Sequence, residues 1–157
     1  GVEKNRDAAS LGGRFGRISC LDAEKDEFTY QERYFDCLIL GDVLEEMENP
    51  EDFLKKMEKY LKNGAQLVVS VRNAMFLPRV AALIRGELMR TTDKFFDFTG
   101  IVSLFRAAGY EIGEIFAQPG AIPQACSVYL KKLTRLPGAA DREEFMAYRY
   151  VFTAYRA

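Results

Sequence analysis

Residues 34–49 read YFDCLILGDVLEEMEN, and this stretch decides the fold. Residues 35–40 (FDCLIL) form an almost continuous apolar run, the pattern of a strand buried on both faces of a parallel sheet. Gly41, Asp42, Glu45 and Glu46 follow, and then comes the best-marked helix of the chain. Asn49 suits an N-cap, Pro50 the first helical position, and Glu51 and Asp52 the positive end of the helix dipole. Phe53, Leu54, Met57, Tyr60 and Leu61 share one apolar face. Lys59 and Lys62 suit the C-terminal end, and Asn63-Gly64 predicts the stop. Residues 66–71 (QLVVSV) predict a second buried strand. Strand, helix and strand in this order point to α/β architecture.

The same reading extends in both directions. Residues 6–11 suit a short helix ending at the Gly12-Gly13 pair, and residues 17–21 a short strand followed by Asp22 and a polar loop. Residues 73–84 predict a helix with Pro78 near its first turn. Thr99 is a candidate cap for a helix over 100–108, with Leu104 and Phe105 inward and Gly109 at the C-terminal turn. Residues 110–116 read as a strand. Gln124–Leu133 is ambiguous, because Cys126, Val128 and Leu130 alternate as in a strand. Helix is preferred there, since residues 148–155 (YRYVFTAY), rich in aromatic and β-branched side chains, make the better last strand. Pro137-Gly138 marks the turn between them.

Length and composition narrow the function. The 157 residues suit one ordinary domain. Lys and Arg number 22 against 23 Asp and Glu, a near-balance that argues against nucleic acid or a membrane surface as partner. Cys20, Cys37 and Cys126 form no CxxC pair, so neither a disulfide framework nor a zinc site is suggested, and buried free thiols are expected. The chain has no histidine, which removes imidazole bases and imidazole metal ligands from its own chemistry. No apolar run approaches the roughly 18 residues of a membrane span, and no signal-peptide pattern appears, so a cytoplasmic location is expected.

Residues 34–49 resemble the fourth strand and following loop of class I S-adenosylmethionine-dependent methyltransferases. There an apolar strand opening with Phe-Asp runs into Gly-Asp-Val-Leu-Glu-His. Phe35-Asp36 and Gly41-Asp42-Val43-Leu44-Glu45 match it. Downstream, PEDFLKKMEKYLKNGAQLVVSVRN is similar to the family's next helix, turn and fifth strand, and DFTGIVSLFRAAGYEI to its Phe-Thr…Ala-Gly-Phe segment. The blocks keep their order and spacing over roughly two-thirds of a domain of usual length.

The resemblance implies a three-layer Rossmann-like methyltransferase fold, with a mainly parallel sheet and an antiparallel last strand. It implies a single partial domain over residues 1–157, truncated at its N-terminus. The implied reaction is methyl transfer from S-adenosylmethionine to a small-molecule or sugar-type acceptor, with no metal, carried out as part of a longer protein, this chain alone being expected to be inactive. By the same resemblance, Glu3 ends the family's second strand and accepts from the ribose hydroxyls, as an acceptor-only carboxylate can. Asp22 accepts from the adenine amino group, and Ala23 offers its backbone N–H to the ring. Gly41, Asp42 and Leu44 sit at the end of the fourth strand, beside the sulfonium and the acceptor. No particular catalytic residue is implied.

The departures carry expectations of their own. The family's first strand and glycine-rich turn would precede Glu3, whereas Gly12-Gly13 and Gly16 follow it. The family's His after Glu45 is Glu46 here, and residues 93–99 (DKFFDFT) match a His-containing family stretch without the His. Without a first strand, the 35–40 strand keeps an unpaired edge. Either residues 17–21 pair with it, or a second copy or an upstream domain covers it. A non-catalytic association module is the second reading of function. A dehydrogenase-like domain is a third, weakened by the lack of GxGxxG. Phe95, Phe96 and Phe98 read as core or lid, and Lys55, Lys56, Lys59 and Lys62 as a solvated helix face.

Overall fold

The computed structural model describes residues 1–87, 96–133, 135 and 142–157. Its centre is strand β4 (Leu61–Arg72), where Leu67, Val69 and Val71 alternate with more exposed neighbours, the period-2 pattern of a strand with one dry face. Strand β3 (Phe35–Gly41) pairs with it in parallel on one side. Strand β6 (Ala147–Arg156) pairs with it antiparallel on the other, and strand β5 (Tyr110–Pro119) lies antiparallel beyond β6. The order is β3-β4-β6-β5. A separate two-stranded parallel sheet holds β1 (Val2–Glu3) and β2 (Ser19–Cys20), with helix α1 (Arg6–Gly12) between them. The expected Rossmann-like α/β fold with an antiparallel last strand is the one observed.

Helices α2 (Pro50–Glu58) and α4 (Phe98–Ala107) supply the apolar stripe that dries one sheet face. Phe53, Leu54 and Met57 of α2 and Ile101 and Phe105 of α4 join Leu67, Val69 and Phe152 in one core. Phe105 meets Phe152 edge-on at 5.0 Å, and the buried Tyr110 hydroxyl donates to the Leu54 carbonyl at 3.2 Å. A smaller cluster of Leu77, Ala81, Cys126 and Phe145 joins α3 (Leu77–Ile84), α5 (Gln124–Leu133) and α6 (Arg142–Met146). Asn73, wholly buried, ties this part to the sheet. Its amide donates to the carbonyls of Glu144 and Ala147 at 2.7 and 2.9 Å and accepts from the Met75 N–H at 2.9 Å.

Several expectations need correction. The β3 strand is not buried on both faces: it is an edge strand, and Ile39 is 74% exposed. Residues 17–21 do not pair with it, because Ser19 and Cys20 pair with Val2 and Glu3 instead. Cys37 on β3 and Cys20 on β2 are exposed, and only Cys126 is the buried thiol expected of all three.

Helix α2 ends at Glu58, so Tyr60 and Leu61 are not on its face. The amides of Tyr34 and Phe35 take the Tyr60 carbonyl, and Leu61 pairs with Phe35, which draws the chain into β4 early. Helix α3 starts at Leu77 rather than residue 73, since Asn73 is committed to β6 and to the bends around it. Asp97, not Thr99, caps α4, accepting from the Gly100 N–H at 2.6 Å. Gly109 does turn the chain after α4, at φ +83. Asp93, Lys94, Phe95 and the Pro137-Gly138 turn lie outside the described residues.

Candidate functional site

The C-terminal ends of β1 and β2 and the loop after β3 enclose a cleft of about 210 Å3, lined by Glu3, Asp22, Ala23, Val43, Glu46 and Met47 among others. Three of the residues expected at a cofactor thus meet around one cleft. Gly41 ends β3 with open space where a Cβ would stand, and Asp42 follows it. Neither lines the cleft, and Leu44 is fully buried in the core, so Val43 supplies the wall on that side.

Local hydrogen bonds fix the polar groups. Asp22 Oδ1 accepts from the N–H groups of Glu24 and Lys25 at 3.0 and 3.3 Å, and the Asp22 N–H donates to Asp26 at 2.8 Å. Glu3 Oε1 accepts from the Asn5 N–H at 2.7 Å. The second oxygen of each carboxylate carries no hydrogen bond among the described residues, which leaves it able to accept one. Lys4–Glu46 and Lys25–Glu48 ion pairs, at 3.2 and 3.3 Å, join the two walls. The hydrogen bond from Lys25 to Glu48, aided by that carboxylate's charge, raises the Lys25 pKa above its usual value. Glu3, Asp22, Glu24, Glu46 and Glu48 outnumber Lys4 and Lys25 in the lining, so the cleft is acidic.

Two side chains outside the expected set hold the Asp22 loop. Glu24 accepts from the N–H groups of Glu48 and Asn49 at 2.9 and 2.8 Å, while Asn49 makes no side-chain cap bond to α2. Lys56 is not plain solvated surface. Its ammonium donates to the carbonyls of Asp26, Glu24 and Ala23 at 2.5, 3.3 and 3.4 Å and lies 4.9 Å from the centre of the Phe28 ring. A lysine that gathers three carbonyls fixes the backbone that presents Ala23.

The lip after β3 is organised by charge. Asp42 adopts φ +51, unusual for a residue with a Cβ. Its N–H donates to the Ser70 carbonyl at 3.0 Å, its Oδ1 accepts from the Ser70 hydroxyl at 2.7 Å, and its Oδ2 pairs with Arg149 at 3.0 Å. Glu45, only 1% exposed, accepts from the Arg72 N–H at 2.5 Å and lies 3.5 Å from that residue's guanidinium. Arg72 and Arg149 stand directly opposite each other across β4 and β6. Like charges so placed repel, and each arginine meets an acid from the same short loop. Spacing along the chain could not have paired them, since the partners come from three different elements.

Among the described residues, no group of Asp, Glu or Cys is placed to hold a metal ion, and no helix is long and apolar enough to cross a membrane.

The cleft thus lies at the carboxyl ends of parallel strands, where open α/β sheets bind their ligands. The methyltransferase-domain family model matches residues 2–115. The chain belongs to that family, which carries methyl transfer as its general activity and S-adenosylmethionine as its cofactor. Solved structures agree on the fold. A methyltransferase from Thermotoga maritima superposes with a TM-score of 0.72 at 18% identity, covering 100% of this chain and 72% of its own. One from Mesorhizobium loti gives 0.66 at 13% identity, covering 99% and 79%. A Haloferax volcanii methyltransferase complex with the activator Trm112 gives 0.68 at 13%, covering 99% and 70%. No curated protein matches the chain.

Proposed function

We propose that residues 1–157 act as one unit that binds S-adenosylmethionine in the Glu3–Asp22–Ala23 cleft and serves methyl transfer to a small-molecule or sugar-type acceptor. The observation that carries this reading is the acidic lining of the cleft together with the one oxygen that Glu3 and Asp22 each leave uncommitted among the described residues. An acid-lined pocket repels the pyrophosphate of a dinucleotide and suits a nucleoside joined to a cationic sulfur. When bound, the cofactor supplies an electrophilic methyl group.

The chain's own residues do the rest. Glu3 accepts from ribose hydroxyls and Asp22 from an exocyclic amine, while Ala23 offers its N–H. Val43 and Met47 give the cleft its apolar wall. Gly41 and Asp42 form the lip over which an acceptor approaches, and the catalytic contribution is positioning and exclusion of water.

Isothermal calorimetry with S-adenosylhomocysteine tests the proposal. The wild-type chain is expected to bind, and Glu3→Gln or Asp22→Asn to bind roughly tenfold or more weakly, the effect of losing a charged hydrogen-bond acceptor. No binding by the wild type refutes it. Binding only by a chain extended upstream would then favour a truncated enzyme, and binding by neither the association module, for which the exposed Ile39 on the edge strand is the supporting observation.

A further inference from the structure

Arg149 lies outside the residues matched by the family model, on the antiparallel last strand, yet it reaches the lip formed after β3. Both members of the Arg149–Asp42 pair are largely buried, with 28% and 26% of their side chains exposed. Asp42 holds a left-handed backbone conformation that costs of the order of a kilocalorie for such a residue, so its surroundings must compensate. Ser70 binds its N–H and one carboxylate oxygen, and Arg149 binds the other oxygen. Arg149 also lies 5.0 Å from the centre of the Tyr148 ring. The neighbouring Arg72 is met by Glu45, so Asp42 is the acid left to face Arg149.

We infer that Arg149 is a positioning residue that acts through Asp42: it balances the charge of the lip and thereby sets how strongly the site distinguishes a sulfonium from a neutral thioether. This rests on the proposed cofactor cleft. With the pair intact, the lip is close to neutral. With Arg149 removed, the Asp42 carboxylate is uncompensated and attracts a cation. A unit charge acting on another through partly watered surroundings changes an equilibrium by about fivefold. That figure sets the size of the effect on a cationic ligand, and the neutral ligand should be nearly indifferent. Substrate and product of a methyl transfer differ by this one charge, so the pair would bear on product release.

The test is calorimetry on the full chain with two probes, S-adenosylmethionine and S-adenosylhomocysteine. Arg149→Met is expected to raise the ratio of their affinities, in favour of the cation, by about fivefold. Asp42→Asn, close in shape and able to keep the Ser70 bond, is expected to lower it. Arg149→Lys should restore the wild-type ratio. A merely structural role would weaken both ligands together and leave the ratio unmoved, and that result overturns the inference while leaving the cofactor site intact. Should Arg149→Met fail to fold, Asp42→Asn alone decides, because an unchanged ratio there is equally fatal. Absence of binding by the wild-type chain overturns the proposed function, and this inference with it.

Discussion

Glu24→Ala offers a sharp test of how the cleft is built. Glu24 is on no helix, yet its carboxylate takes the two amides that lead into α2, at 2.9 and 2.8 Å. Hydrogen bonds to a charged group contribute about 1.5–3 kcal/mol where they are dry, and less where water competes, as here. A negative charge at a helix N-terminus adds about 0.5 kcal/mol. Removing the side chain should therefore cost about 1.5 kcal/mol, and at about 3 °C per kcal/mol for a chain of this size the melting point should fall about 5 °C.

Asn49→Ala is the control. Sequence rules make Asn49 the cap, but its side chain makes no cap bond, so its loss should cost under about 0.5 kcal/mol. Urea unfolding followed by circular dichroism suits the comparison, since the chain has no tryptophan to report by fluorescence. If Asn49→Ala proves as damaging as Glu24→Ala, the tether described here is not what holds the loop to the helix.

Further predictions follow from other sites. Gly41→Ala should leave stability unchanged, because a Cβ there meets nothing within 4 Å, while S-adenosylhomocysteine binding weakens if the ligand passes close to that backbone; melting and calorimetry together separate the two. Glu45→Ala removes the buried carboxylate that accepts from the Arg72 amide and faces its guanidinium and should cost about 2 kcal/mol in urea unfolding, against about 1 kcal/mol for Glu45→Gln. Leu54→Ala, at a fully buried position, should cost about 3 kcal/mol in the same assay. Burial raises the Tyr110 pKa above its usual value, so ultraviolet titration should show a late-ionising tyrosine that Tyr110→Phe removes. The folded state then holds that proton more tightly than the unfolded state. The resulting stability is full below about pH 10 and is lost as pH rises through the raised folded value, and Tyr110→Phe should abolish that alkaline loss.

Much of this was legible along the chain. The apolar run at 35–40, the 148–155 segment and the Gly109 turn are local patterns, and local chemistry dictates them. The Glu3, Asp22 and Ala23 positions came from resemblance, and the fold gathers them at one cleft. Other features depend on distant partners. Ile39 looks like core in a sequence window, but burial depends on how many neighbours a strand finds, and β3 finds one. Tyr60 fits a helical face by period, yet pairing of residues 34 and 35 with its carbonyl ends the helix first. Lys56 and Arg149 could not have been singled out, because their acceptors lie at Ala23, Glu24, Asp26 and Asp42, far off in the chain.

The small β1–β2 ladder has a consequence for how the two walls of the cleft respond to a ligand. The ladder itself has two residue pairs, Val2 with Ser19 and Glu3 with Cys20, flanked by the Gly1 ammonium on the Arg17 carbonyl and the exposed Lys4–Glu46 pair, whereas the opposite wall is continuous with the main core. Its free energy of local opening should therefore lie far below that of global unfolding. Amide exchange in the Val2–Cys20 region should be fast in the free chain and slow sharply once the cleft is filled, with little change at Leu67 or Val69. Part of the intrinsic affinity would then be spent on ordering that wall, and the entropy of binding would carry the record of it.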